Sequence, residues 1–334
     1  MDVQHRSSGP SGSLVSALAL GSWHTWDRLA PGETAETLRT AVDAGITLFD
    51  VGIYGPQREG ATDVLFAEGM HRAGVARDQY RLAVKGWLPR EAGQPPDLLP
   101  QVDELLDRQG TDRADYLVLG DLMHGLVFRD ELLEQLAALL ASGKVLHWAV
   151  NNWSADDIFS FTRSAHEASL PAPEYAQLKY GPARRSVAES DFLRSLGSAT
   201  GLTIQASDTF EGGLLLGSQA ARMIGGDIGG IQSSIRGSVH LLREVAAELG
   251  GTAAQLAIAV PLCNPQVSSV LVGARTREQV LDNVGAFALL DRVGVAGIRD
   301  AAHSFWFDRG VVDPASSWGT RPDDDPGTYV VSER

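Results

Sequence analysis

Apolar and polar positions alternate between two periods along most of the chain. Short apolar runs, rich in β-branched residues or leucine, read as strands: SALAL (16–20), ITLFD (46–50), RLAVK (81–85), DYLVL (115–119), VLHWAV (145–150), EYAQL (174–178), LTIQA (202–206) and SSVLVG (268–273). Segments of helical spacing lie between and after them, near 34–44, 61–73, 97–109, 130–142, 154–168, 187–198, 238–260 and 276–286. In the first of these, Leu38, Ala41 and Val42 fall on one face.

Eight strand-then-helix units predict a parallel sheet, because each parallel connection needs a crossover. Eight units within roughly 270 residues fit a single α/β domain, a (β/α)8 TIM barrel. An open doubly wound sheet is the competing arrangement. It lacks its usual dinucleotide signature here: no GxGxxG follows the first strand, and the glycines of GGDIGG (225–230) follow no strand at all. The pattern places the barrel and its C-terminal helices in residues 14–312. Residues 1–13 read as a disordered N-terminus, and 313–334, with DDDPG, as a loose tail. The stretch from 207 to 237 is long for a strand-to-helix connection. It reads as a lid or cofactor clamp, or else as a plain surface excursion.

Composition narrows the partners. The 334 residues carry a formal net charge of −14, which argues against nucleic acid or an anionic membrane as the main partner. The single cysteine, Cys263, supports neither a disulfide nor a cysteine metal site, and no metal is expected. No apolar stretch reaches the roughly 18 residues of a membrane span. The leading MDVQHRSSGPSGS has no apolar core of the signal-peptide kind, so a cytoplasmic location is expected. A small-molecule substrate is the expected partner, and the oligomeric state stays open.

A barrel of this kind carries its chemistry at the carboxyl ends of its strands. Those ends hold Gly21, Ser22, Trp23 and Trp26; Asp50 and Tyr54; Lys85 and Trp87; Gly120, Asp121 and His124; Asn151, Asn152 and Trp153; Gln177 and Tyr180; Ser207 and Asp208; and Gly273, Ala274 and Arg275. The set is polar and aromatic. The trio Asp50, Tyr54 and Lys85 has an evident chemical use. A phenol with a reference pKa near 10 is a poor proton donor at neutral pH. An adjacent ammonium favours the phenolate and acidifies it, and an aspartate keeps that ammonium charged and oriented. Together they make a proton donor to a developing alkoxide.

The same residues carry a family resemblance. FDVGIYG (49–55) resembles the FDTAxxYG segment of the aldo-keto reductases, AVKGW (83–87) their lysine strand, and GKVLHWAVNNWS (143–154) their GKVRxIGVSNFS. AQLKY (176–180) sits at their glutamine-bearing strand. TAAQLAIAVPLCNPQVSSVLVGARTREQVLDN (252–283) is similar to their helix–strand–phosphate-loop segment. The matches run in order from about residue 15 to 290. The resemblance implies a barrel that binds a nicotinamide cofactor, usually NADP(H), without a Rossmann domain, and a tyrosine proton donor, here Tyr54. It places Asn152 and Gln177 at the carboxamide, and Gly273, Arg275, Gln279 and Asn283 at the adenosine end. Gly21, Ser22, Trp23 and Ser207 join them as cofactor-side residues. A helix N-terminus suits phosphate, and Arg275 suits a 2′-phosphate; Arg277 reads as a solvated helix residue.

Three departures mark this chain. The family's fourth catalytic residue is a histidine five residues after the aspartate of the DYLVLG strand, and that position is Gly120. Asp121 or His124 are the candidate substitutes, or the pocket is open there for a bulkier substrate. Ser207 replaces an aromatic that usually stacks on the nicotinamide, with Tyr180 or Phe210 as possible compensation. Asn151 stands where the family has serine. Trp26, Trp87, Trp153 and Tyr180 are the expected wall of a substrate pocket, with core packing as the competing use.

The first reading is therefore an NADPH-dependent oxidoreductase acting on a carbonyl or conjugated acceptor, compatible with bacterial secondary metabolism. Two others stand beside it. One is proton chemistry on the same fold, such as dehydration, isomerisation or cyclisation, run by Tyr54 and Asp121. The other is a cofactor-sensing binding protein of the kind that potassium-channel β subunits resemble.

Overall fold

The computed structural model describes residues 3–23, 25–26, 29–52, 62–88, 96–122, 128–218 and 230–309. An antiparallel hairpin, β1 (His5–Ser8) and β2 (Ser13–Ser16), comes first. Eight strands follow: β3 (Leu18–Gly21), β4 (Leu48–Val51), β5 (Arg81–Gly86), β6 (Ala114–Leu119), β7 (Val145–Asn151), β8 (Tyr175–Lys179), β9 (Thr203–Ser207) and β10 (Val267–Val272). They are parallel, each beside its sequence neighbour, and β10 closes on β3. The helices are α1 (Pro31–Asp43), α2 (Thr62–Arg72), α3 (Leu98–Gln109), α4 (Arg129–Ala141), α5 (Ala155–Glu167), α6 (Asp191–Thr200), α7 (Gln232–Glu248), α8 (Ala253–Leu262) and α9 (Arg277–Ala301). The closed barrel read from the alternating pattern is the architecture observed.

Strand alternation sorts the side chains into two cores. Ala19, Leu48, Ala83, Tyr116, Val118, Ala149 and Tyr175 fill the barrel interior. Their neighbours, such as Phe49, Val84, Leu117, Trp148 and Leu178, face the helices. The helices meet them with single apolar stripes, as in α3, where Leu98, Val102, Leu105 and Leu106 are buried. Gly110 ends α3 in the left-handed region at φ 62°. α8 is apolar nearly all round because it is enclosed, and residues 254 and 256–262 are all buried. Its start is fixed by Thr252, whose hydroxyl accepts from the Gln255 N–H while the Gln255 side chain accepts from the Thr252 N–H. Among the described residues no single helix is long and apolar enough to cross a membrane.

Several boundaries differ from the sequence reading. Residues 5–16 are an ordered hairpin rather than a disordered lead. Arg6 donates to the carbonyls of Val267 (2.8 Å) and Leu262 (2.9 Å), and Ser11 donates to Glu174 at 2.7 Å. Val15, fully buried with the barrel interior, anchors the hairpin as well. The helical stretch 238–260 is two helices, α7 and α8, parted at Gly250 and Gly251, with Gly250 at φ 73°. α9 runs well past residue 286 and bends where Gly294 leaves the helical region at φ 77°. The 207–237 stretch is partly regular, with a 3-10 turn at Glu211–Leu216 and α7 starting at Gln232. The tail 313–334 and most of GGDIGG lie outside the described residues.

Candidate active site

Asp50 ends the inner row of β4 and Lys85 that of β5, one strand apart. Lys85 Nζ donates to Asp50 Oδ2 at 2.8 Å, and both side chains are only 4% exposed. Two such charges are held this deep only when paired and hydrogen-bonded. Gln177, on β8 across the barrel, completes the set. Its Oε1 accepts from Lys85 at 2.7 Å, and its Nε2 donates to Asp50 Oδ2 at 2.8 Å and to Gln205 Oε1 at 2.6 Å. Both ends of the Gln177 amide are thus engaged inside the barrel in this structure. It braces the lysine rather than reaching toward a carboxamide. Tyr54 and His124 lie outside the described residues.

Gly120 is explained by its neighbour. A β-carbon built there would fall 2.8 Å from Cε3 of Trp87 and 3.2 Å from its Cζ3. The indole takes the space that a side chain at 120 would enter. Trp87 itself is pinned through its backbone, since Gln101 Oε1 accepts from its N–H at 2.8 Å and Gln101 Nε2 donates to its carbonyl at 3.0 Å. Gly120 N–H continues the ladder to the Gly86 carbonyl at 2.8 Å.

Asp121 has a definite task. Its Oδ1 accepts from the side-chain amides of Asn151 (2.9 Å) and Asn152 (3.0 Å). A carboxylate oxygen accepts only, so the Asn152 NH₂ must face it and Oδ1 must face the other way. That Oδ1 is buried and has no hydrogen-bond partner. Asn152 is also held at φ 56°, a conformation that side chains other than glycine seldom adopt. A buried lone acceptor at the barrel mouth is suited to an N–H₂ donor such as a nicotinamide carboxamide, so Asn152 fits the cofactor that the sequence implied.

Other cofactor-side residues sit as follows. Ser22 is buried, its N–H bonded to the Asp50 carbonyl at 2.9 Å and its hydroxyl accepting from Gly52 N–H at 3.3 Å. Gly21 ends β3 against Leu271, and Trp23 is half-buried, its carbonyl accepting from the Thr25 hydroxyl at 3.2 Å. Ser207 is buried at the end of β9, its carbonyl taking the Tyr180 N–H at 3.0 Å. Gly273, Arg275 and Gln279 are exposed where β10 passes into α9, while Asn283 is buried one turn further on. Thr276 caps α9 by accepting from the Gln279 N–H, and Gln279 Oε1 accepts from the Arg275 N–H at 2.8 Å. The result is an exposed helix N-terminus flanked by Arg275 and Arg277, with Glu278 in its first turn.

The expected aromatic wall is corrected in three places. Trp26 is fully buried and stacked on Phe66 at 5.3 Å, in the layer between strands and helices. Trp153 is likewise buried, edge-on to Phe161, its indole N–H bonded to the Gly120 carbonyl at 2.8 Å. Tyr180 is buried, and its hydroxyl donates to Glu189 at 2.7 Å; burial, then the nearby Glu189 charge, pushes its phenol far above the ordinary value. Of the four, only Trp87 keeps partial exposure at the mouth.

Lys179, which the sequence reading did not single out, ends the inner row of β8. It has the parity of Tyr175 and Gln177, both inward, and that alternation was a sufficient signal. Burial lowers its pKa, while Asp208, Glu211 and Asp121 oppose the shift and Arg184 adds to it. Beside it Arg184 Nε donates to Glu211 Oε1 at 2.9 Å, both side chains under 10% exposed. Burial drives the Glu211 carboxyl up to about 7, against the pull of Arg184. Asp208 and Glu211 are strained like Asn152, at φ 47° and 49°. Three of the four positive-φ residues other than glycine among the described residues therefore line the mouth around β8. Among the described residues no cluster of histidine, cysteine or carboxylate side chains could hold a metal ion.

Comparison with known proteins agrees with this geometry. The model of the Aldo/keto reductase family matches residues 17–301. A putative voltage-gated potassium channel subunit beta of Schizosaccharomyces pombe is 26% identical over 315 residues, covering 87% of this chain and 90% of the relative. A probable subunit of the same kind from Oryza sativa is 27% identical, covering 86% and 92%. The L-glyceraldehyde 3-phosphate reductase of Escherichia coli K12 is 28% identical over 306 residues, covering 85% and 87%.

Proposed function

Since the chain belongs to the aldo/keto reductase family of oxidoreductases, we propose that it reduces a carbonyl or conjugated acceptor at the expense of NADPH, with Tyr54 as proton donor. The observation that carries this reading is the buried Asp50–Lys85 pair at adjacent strand ends, with Asp50 four residues before Tyr54 in sequence. The pair is costly to bury and needs a use beyond stability.

Bound NADPH supplies a hydride, and the chain supplies the rest. Asn152 Oδ1, its orientation set by Asp121, would accept from the carboxamide N–H₂. Arg275, at the exposed start of α9, would hold the 2′-phosphate, with that helix N-terminus adding positive potential. As negative charge grows on the acceptor oxygen, the Tyr54 hydroxyl gives up its proton to it. The Lys85 ammonium lowers the cost by favouring the phenolate left behind, and Asp50 and Gln177 keep that ammonium in place. Asp121, an acceptor for two amides, serves to orient Asn151 and Asn152, which speaks against its use as a free acid in proton-only chemistry. The intact lysine–aspartate pair favours catalysis over a purely cofactor-sensing role. The test is NADPH oxidation, followed by its absorbance, across a panel of aldehydes, ketones and enones. Tight NADPH binding with no consumption for any acceptor would refute the reading.

A further inference from the structure

The family histidine is absent at Gly120, and the Trp87 ring leaves no room for another side chain at that position. Asp121 is occupied with two asparagine amides. Among the described residues, which do not include His124, a polar group for the acceptor oxygen has then to come from another strand. β8 offers one. Tyr175, Gln177 and Lys179 alternate along it on the inner face, and Lys179 is the last of them, level with Ser207 on β9. It stands two strands from Gly120, in the same quadrant of the mouth as Asn151 and Asn152. The flanking loops hold strained backbone at Asn152 and Asp208, as is common where a site has to be held in one shape.

We propose that the Lys179 ammonium donates a hydrogen bond to the substrate's carbonyl oxygen, taking up from β8 the orienting task that no side chain at position 120 performs. This rests on the reductase reading and deepens it, for it adds a catalytic residue and sets the oxygen's direction. In this division of labour Tyr54 delivers the proton, while Lys179 holds the oxygen and keeps its own. The charged groups facing Lys179 are Asp121 after β6, Arg184 after β8, and Asp208 and Glu211 after β9. Burial lowers the lysine's pKa and the carboxyls of Asp121, Asp208 and Glu211 oppose that shift, so the ammonium form that the role requires is favoured by these neighbours against the burial. Such an ammonium accepts no proton and places no demand on the substrate beyond a bare oxygen, so aldehydes and ketones alike satisfy it.

The experiment compares Lys179→Met, Lys179→Arg and Lys179→Gln with the native protein, using NADPH and a carbonyl panel that begins with 4-nitrobenzaldehyde. Lys179→Met should lose about 10²-fold in kcat/KM, the low end for a positioned donor, with NADPH affinity unchanged. Lys179→Arg should recover part of that loss, because guanidinium is also a charged donor, and the uncharged Lys179→Gln should recover less. A merely structural lysine would be replaced equally well by either. Native protein that turns over while Lys179→Met stays within about threefold of it would overturn the proposal and leave the reductase reading standing. Native protein that binds NADPH but reduces nothing would overturn both. Should Lys179→Met not fold, Lys179→Gln decides in its place: kcat/KM within about threefold of the native value refutes the role.

Discussion

The Trp87 indole lies against the Cα of Gly120, close enough that a β-carbon there would meet the ring at 2.8 Å. The pair therefore behaves as one unit, in which the glycine is the condition for the ring. Gly120→Ala should destabilise by about 1–3 kcal/mol, the usual cost of overpacking. In a Trp87→Ala background the same change should cost much less, because the clash has gone. Denaturant midpoints of the four proteins measure the coupling; additive losses would show that the ring does not need the glycine.

Removing the ammonium from the buried pair should damage fold and chemistry together. Lys85→Met leaves Asp50 uncompensated at 4% exposure, so a loss of about 3–5 kcal/mol is expected, with turnover down about 10²-fold or more. Asp50→Asn with Lys85→Met should recover stability but not turnover. Chemical denaturation and NADPH-coupled rates, measured on the same samples, separate the two effects.

How much of this was readable beforehand follows from what kind of signal each residue gives. The eight strands are apolar runs of β-branched residues and leucine, and period alone placed them. The hairpin at 5–16 is held by buried Val15 and by Arg6 and Ser11 reaching to distant carbonyl and carboxylate oxygens, and no local pattern encodes those polar contacts. Asp50 and Lys85 were legible because each ends an inner row. Tyr180 was misjudged although the signal was present, because it has the opposite parity to Gln177 and must face outward. By the same rule Lys179 faces in. Trp26 and Trp153 lie beyond their strands, where parity no longer applies, and an aromatic there reads the same whether it walls a pocket or fills a core. The meaning of Gly120 was out of reach of sequence, since it depends on a ring one strand away.

Cofactor recognition at the carboxamide should run through Asn152. Asn152→Leu removes the lone buried acceptor and should weaken NADPH binding by roughly tenfold, about the worth of one buried hydrogen bond. Fluorescence titration of bound NADPH measures it. Arg275→Glu should weaken NADPH and leave NADH largely unaffected, because only the former carries the 2′-phosphate. Equal losses for both dinucleotides would move the adenosine end elsewhere.

Glu211 gives a pH signature. Its carboxyl titrates at about 7 in the folded protein and near 4.5 when exposed, so the folded state holds the proton more tightly. Between those values the native protein binds more protons than the unfolded chain, and its stability falls as pH rises from about 4.5 to 7. Glu211→Gln abolishes that contribution, whatever constant cost it adds at Arg184. The native stability minus that of the variant should therefore fall as pH rises through this window, by denaturation at several pH values. A gap independent of pH would mean that Glu211 keeps an ordinary carboxylate pKa.

In the proposed reaction one phenol, acidified by Lys85, protonates an oxygen as hydride arrives. The decisive variant is Tyr54→Phe, followed by single-turnover NADPH oxidation with a carbonyl acceptor that the native protein reduces. The rate should be lower by about 10²–10⁴-fold with NADPH affinity unchanged. A variant that oxidises NADPH within about twofold of the native rate would contradict that role.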